Sequence, residues 1–123
     1  MIIQNNKKRL GWVITGSGHF FEECLDIMSG LGEFDLFVSK AAEEVVRMYR
    51  KKKSNFPPQT RIFRDTTASS APVGFFYKNL YHTLIIAPAT SNSIAKFVAG
   101  ISDNLATNIF AQAGKCKVPC IVL

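Results

Sequence analysis

Apolar positions follow two rhythms along this chain. Leu10 to Thr15, Phe34 to Ser39, Thr83 to Ala87 and Val118 to Leu123 are apolar runs of strand length, each bounded by Gly, Pro or small polar residues. Thr83-Leu84-Ile85-Ile86-Ala87 does not alternate, which predicts a strand covered on both faces at the centre of a parallel sheet. Between these runs the period becomes helical. Phe21, Cys24, Leu25 and Met28 recur at three- and four-residue steps with Glu22, Glu23 and Asp26 opposite, and Gly30 and Gly32 end the segment. Ala41 to Lys52 sets Ala42, Val45, Val46 and Tyr49 on one side and an i,i+4 pair of Glu43 and Arg47 on the other, with Ser39 placed to cap it. Ser91 to Gly114 reads as helix interrupted at Gly100, after which Ser102 or Asp103 can cap a new start carrying Leu105, Ile109, Phe110 and Ala113.

The middle is less regular. Ser54 to Pro58 and Thr66 to Gly74 are rich in Ser, Thr, Pro, Ala and Gly and read as loops around a short strand candidate, Thr60 to Arg64. The second loop is long enough to serve as a functional flap. Strand and helix in alternation, with no repeat and no linker, predict one doubly wound α/β domain over residues 1–123.

Composition narrows the class. Hydrophobic residues make up 47% of the 123 and charged residues 20%, the balance of a soluble globular fold. No apolar run approaches the roughly eighteen residues of a membrane span. Lys7, Lys8 and Arg9 are not followed by the apolar stretch and cleavage site of a secretory leader, so a cytoplasmic location is expected. Three cysteines, Cys24, Cys116 and Cys120, are an odd number and read as reduced thiols; the C-x3-C spacing of the last two fits neither a zinc ribbon nor a ferredoxin run.

In a doubly wound sheet, ligands bind beyond the carboxyl ends of the strands. Three such ends carry small hydroxyl residues at a helix entrance: Thr15-Gly16-Ser17-Gly18-His19, Ser39-Lys40-Ala41-Ala42 and Pro88-Ala89-Thr90-Ser91-Asn92-Ser93. Glycine lets the backbone approach a ligand, first-turn N–H groups donate, and the hydroxyls add donors, so a phosphate is the natural guest. The pattern is not a Walker loop, because no Gly-Lys-Ser/Thr follows, and not G-x-G-x-x-G, because Phe21 stands at the third glycine. A tight turn with ordinary caps remains the alternative on this ground alone.

Two of these segments resemble a known family. Ala87-Pro88-Ala89-Thr90-Ser91-Asn92-Ser93-Ile94-Ala95-Lys96, followed by Gly100-Ile101-Ser102-Asp103-Asn104-Leu105, is similar to the A-P-A-x-x-N-T-x-A-K and G-x-x-D-N-L segments of the homo-oligomeric flavin-containing cysteine decarboxylases and related flavoproteins. The resemblance implies a flavodoxin-like (Rossmann-like) three-layer α/β/α sandwich with a mainly parallel sheet, and FMN as cofactor. It would put the FMN phosphate at Gly16, Ser17, Gly18 and Ser39. Ala89, Thr90, Ser91 and Asn92 would lie near the ribityl chain and ring, and Asp103 and Asn104 at the flavin end.

Within the family, Thr-Gly-Ser-Gly-His followed by two aromatics is most similar to the redox branch of archaeal flavoproteins and dihydromethanopterin reductases. There His19 would bond the flavin or its phosphate, unless it is simply a solvent-facing residue of the first turn. The decarboxylases' upstream histidine has Gly74 at its position, and their P-x-M-N-x-x-M-W clamp has no counterpart before Leu123, which suggests a shortened member or a fragment.

The reading is therefore an FMN-binding redox flavoprotein. It would take electrons from a donor such as reduced ferredoxin and pass them to a small acceptor such as a dihydropterin, in a homo-oligomer built from trimers. The alternatives are an FMN-dependent cysteine decarboxylase and a non-enzymatic binding or assembly module. The net charge of +6 and the basic run Arg47 to Lys53 read first as a solvated helix end. An acidic electron-transfer partner or a polyanionic substrate comes next, and nucleic acid ranks last because no reader motif accompanies the charge.

Overall fold

A parallel strand has two faces to cover, and the apolar runs supply residues for both. The computed structural model describes residues 7–50, 56–57, 60–66 and 70–123. Its strands are β1 (Arg9–Ile14), β2 (Phe34–Val38), β3 (Arg61–Arg64), β4 (Tyr81–Ile86) and β5 (Cys120–Val122). They alternate with α1 (Phe21–Ser29), α2 (Lys40–Arg50), α3 (Ser70–Tyr77), α4 (Ser91–Ala99) and α5 (Leu105–Lys115), the last two both lying between β4 and β5. All pairings are parallel, in the order β3-β2-β1-β4-β5. The doubly wound α/β fold expected from the sequence is the one observed.

Alternation along each strand sorts the core into two layers. Trp12, Ile14, Leu36 and Val38 pack with Phe21, Cys24 and Met28 of α1 and Ala42 and Val46 of α2. Val13, Phe37, Leu84 and Ile86 pack on the other face with Phe76 of α3 and Leu105, Ile109 and Ala113 of α5. No helix among the described residues is long and apolar enough to cross a membrane. All three cysteines are free thiols.

Two local expectations change. Ser70 to Gly74, the last part of the stretch read as a loop, belongs to α3, because Phe76 is buried against Phe37 and Tyr81 while Phe75 meets Phe63 edge-on; residues 67–69 of that stretch lie outside the described residues. Pro72 sits in its first turn, where no N–H is needed. At α5 the cap is Asn104 rather than Ser102 or Asp103. Its Oδ1 accepts the Thr107 N–H at 2.9 Å while Thr107 Oγ1 accepts the Asn104 N–H at 3.0 Å, a reciprocal box that only a residue three before Thr107 can close. Lys51, Lys52 and Lys53 of the basic run lie outside the described residues.

A buried carboxylate ties the strands together at their amino ends. Asp35 is fully buried, a costly place for a charge without partners. Arg61 Nε and Nη2 donate to its two oxygens at 2.7 and 2.6 Å, the Tyr81 hydroxyl at 2.6 Å and Arg9 Nε at 2.9 Å. Arg9 also reaches the exposed Glu33 at 3.0 Å. Burial pushes the Asp35 carboxyl up, but the hydrogen bonds from Arg61 and Tyr81 and the charges of Arg61 and Arg9 outweigh it and hold it below the usual carboxylate range. Burial, then the bond to Asp35, pushes the Tyr81 phenol up.

The signs give a pH window. A lowered carboxyl stabilises the fold above the unfolded value near pH 4, and that contribution is lost as pH falls through the native value; a raised phenol stabilises it below about pH 10 and fades above. Asp35→Asn is expected to cost about 3 kcal/mol at neutral pH by leaving the Arg61 guanidinium without its counter-charge and Arg9 with only the exposed Glu33. It should also remove the share of the acid limb owed to this residue. Urea denaturation of both proteins across pH measures each effect.

Candidate functional site

Strand order reverses between β1 and β4, so the segments leaving their carboxyl ends pass to opposite layers and part. A cleft of about 450 Å³ lies there. Its floor is Thr15 and Gly16 from the end of β1. The walls are the entrances of three helices: Ser39, Lys40 and Ala41 at α2, Thr90, Asn92 and Ser93 at α4, and Asp103, Asn104 and Ala106 at α5, with Asp65 from the end of β3 and Lys96 completing the rim. A second concavity of about 500 Å³ lies between Lys7–Leu10, Leu31–Glu33 and His82 at the amino ends of the strands. No segment following a strand lines it, so the cleft at the order reversal is the candidate site.

The buried Thr15 hydroxyl holds the floor to one wall. It donates to the Pro88 carbonyl at 2.8 Å and accepts the Thr90 N–H at 2.8 Å, tying the end of β1 to the α4 entrance. Thr90 in turn caps α4, its Oγ1 accepting the Ser93 N–H at 3.0 Å and its hydroxyl donating to Ser93 Oγ at 2.8 Å. Ser39 caps α2 by accepting the Ala42 N–H at 3.1 Å, and its own hydroxyl proton meets no acceptor among the described residues. The first-turn N–H groups of Lys40, Ala41, Ser91 and Asn92 have no intrahelical acceptor.

Gly16 is where the backbone must come close. A Cβ there would stand 2.6 Å from the Ala41 Cβ, so only glycine lets the β1 turn meet the α2 entrance. At Gly18 a Cβ would meet nothing nearer than the Tyr49 hydroxyl at 3.7 Å. The two glycines of one turn thus differ in role.

Of the residues singled out in the sequence, Gly16, Ser39, Thr90, Asn92, Asp103 and Asn104 line this cleft together. Ala89 and Ser91 flank the α4 wall. Ser17, Gly18 and His19 form the adjoining turn and are not part of the lining; Ser17 Oγ accepts the His19 N–H at 3.2 Å. The exposed His19 ring lies 4.1 Å from Phe20, whose backbone is left-handed at φ 64°, rare for a bulky residue. Thr15, Lys40 and Lys96 stood within the segments singled out in the sequence but were given no part in the site, and Asp65 lay in none of those segments. Asp65 carried a usable signal, since it directly follows the β3 candidate.

The cleft is electrically uneven. At α2, Lys40 forms no ion pair with the described residues. At α5, Lys96 is spent on Asp103 at 2.9 Å, and Asp65 Oδ2 accepts the Leu105 N–H at 3.1 Å. One side offers donors and positive charge, the other carboxylates.

An open parallel sheet with an anion-ready crevice at its order reversal defines a nucleotide- or cofactor-binding α/β protein. Residues 3–123 match the Flavoprotein family, and the chain belongs to it. It is 37% identical over 129 residues to a dihydromethanopterin reductase (acceptor) of Methanosarcina mazei, covering 94% of this chain and 54% of that one. A dihydromethanopterin reductase (acceptor) of Methanocaldococcus jannaschii is 36% identical, with 94% and 52% covered. The chain thus spans about half the length of these curated relatives. Among solved structures, Burkholderia xenovorans DmrB in complex with FMN, described as a cubic protein cage for redox transfer, superposes with a TM-score of 0.84 at 46% identity, covering 98% of this chain and 67% of that one. Phenylacrylic acid decarboxylase from Aquifex aeolicus, at 21% identity and a TM-score of 0.71, shares the fold.

Gly16→Ala should destabilise the protein by about 1–3 kcal/mol through overpacking against Ala41. Gly18→Ala should leave stability within about 0.5 kcal/mol of wild type. Chemical denaturation of the two variants side by side checks the difference.

Proposed function

We propose that this chain binds FMN in the cleft at the order reversal and acts as a redox flavoprotein. The observation that carries the reading is the convergence of open helix N–H groups, capping hydroxyls and a Lys40 with no ion pair among the described residues around a glycine that Ala41 leaves no room to replace. That donor set fits a phosphate-bearing ligand, and about 450 Å³ is within the range of cofactor sites. The likeness to the FMN-bound DmrB supports the same cofactor.

In this reading Gly16, Ser17, Gly18 and Ser39 hold the phosphate, with His19 beside it. Ala89, Thr90, Ser91 and Asn92 line the ribityl chain and ring, and Asp103 and Asn104 close the flavin end. FMN, when bound, supplies transfer of one or two electrons. The chain itself does the rest: Ser39 donates a hydroxyl proton to the phosphate while its oxygen keeps capping α2, and Thr15 keeps the α4 wall in place. Residues 1–123 act as one domain in the cytoplasm. A reductant such as reduced ferredoxin supplies electrons, and a small acceptor of the dihydropterin type receives them, a choice supported by the names of the two archaeal relatives. A homo-oligomer built from trimers is favoured by the cage described for DmrB.

The test is the visible spectrum of purified protein after incubation with FMN and desalting. Retained flavin absorbance, with the flavin reduced anaerobically by light and reoxidised on adding a dihydropterin, is the expected result; a folded protein that retains no flavin sinks the reading. Ser39→Asp keeps a good helix cap but sets a negative charge against the phosphate, and should weaken FMN binding at least about tenfold. Unchanged affinity in a fluorescence titration would remove Ser39 from the phosphate site.

A further inference from the structure

The two sides of the cleft differ in a way that orients whatever enters it, and the difference centres on Asp65. This residue follows the last residue of β3 and lines the cleft half-buried. One carboxylate oxygen, Oδ2, accepts the Leu105 N–H at 3.1 Å, so the α5 entrance is fastened to the end of β3. The neighbouring donors are taken as well: the Thr107 N–H goes to Asn104, and the Asp103 and Asn104 N–H groups go to Thr107. The α5 side therefore offers an anion the Ala106 N–H and the Asn104 amide group, next to a carboxylate. At α2 the first-turn N–H groups of Lys40 and Ala41, the Ser39 hydroxyl proton and the Lys40 side chain have no partner among the described residues.

We propose that Asp65 is a binding residue that polarises the cleft: it keeps the anionic end of the ligand at α2 and, through Oδ1, accepts a hydrogen bond from the N–H- or O–H-bearing flavin end at α5. Oδ1 has no partner among the described residues. An ionised acceptor is the strong kind of hydrogen-bond partner, and a carboxylate set beside the flavin also disfavours its reduced, more negative state. Asp65 thus acts on both orientation and reduction potential. This inference rests on FMN being the ligand.

The experiment compares wild type, Asp65→Asn and Asp65→Ala by FMN fluorescence titration, thermal melting and spectroelectrochemical midpoint potential. The Asn amide oxygen can still accept the Leu105 N–H, so Asp65→Asn keeps the α5 fastening while an amide NH2 group replaces the charged Oδ1 acceptor; Asp65→Ala removes both and should melt lower. Asp65→Asn is expected to bind FMN about tenfold more weakly, the scale of a lost charged hydrogen bond, and to shift the midpoint to a more positive potential. A helix cap alone would move the melt and leave the potential of bound flavin unchanged. Tighter FMN binding in Asp65→Asn would mean that the carboxylate faces the phosphate, and equal binding with an equal potential would mean that it faces no part of the flavin; either result overturns the proposal. Wild type that holds no FMN would instead bring down the FMN reading itself, so the two failures are distinguishable.

Discussion

Everything at the carboxyl end of this sheet depends on an ionic contact at its amino end. Asp35 is buried among groups from the starts of three other strands, Arg9 of β1, Arg61 of β3 and Tyr81 of β4. Parallel strands have no hairpin turns to set their register. Here one carboxylate and its partners hold four strands level, and the buried charge excludes slipped pairings that would leave it without donors. With the amino edge fixed, the ends of β1, β2, β3 and β4 arrive together at the opposite edge, where their following segments form the cleft.

The site then follows from economical use of polar atoms. Thr15 serves as donor and acceptor for segments more than seventy residues away in the chain, and Ser39, Thr90 and Asn104 each start a helix while facing the same space. A capping residue is fixed by the helix it begins, so its position in the cleft comes with the fold. The rim charges are unequal in consequence: Lys40 beside α2 has no ion-pair partner among the described residues, whereas Lys96 and Asp103 neutralise each other beside α5. A molecule with one anionic end meets two different walls.

Much of this was legible along the chain, and the reasons are local. Strands such as Thr83 to Ala87 announce themselves by continuous apolar character, and helix entrances by Ser or Thr ahead of a helical period. Six of the residues read as site positions share the cleft because the ends of parallel strands gather on one edge. What escaped depends on partners distant in sequence. Asp35 lies 26 residues from each of its arginines and 46 from Tyr81, so nothing beside it in the chain marks its burial. α3 is hidden because Ser, Pro and Gly weaken its local signal, while what anchors it is tertiary: Phe76 buried against Phe37 and Tyr81, and Phe75 against Phe63. Asp65 sat in a stretch whose composition reads as turn.

The close approach of Gly16 to Ala41 also bears on how this sequence can change by mutation. The conflict at position 16 is chiefly with one atom, the Ala41 Cβ; the Ala41 backbone carbon atoms stand at 3.3 and 3.5 Å, distances that small adjustments accommodate. Without that methyl group, position 16 could carry one of its own. The two sites therefore form a single epistatic unit: the larger residue is harmful at 16 while 41 keeps its Cβ and tolerable once 41 is glycine. A lineage can move the bulk across this contact only by passing first through the pair of glycines.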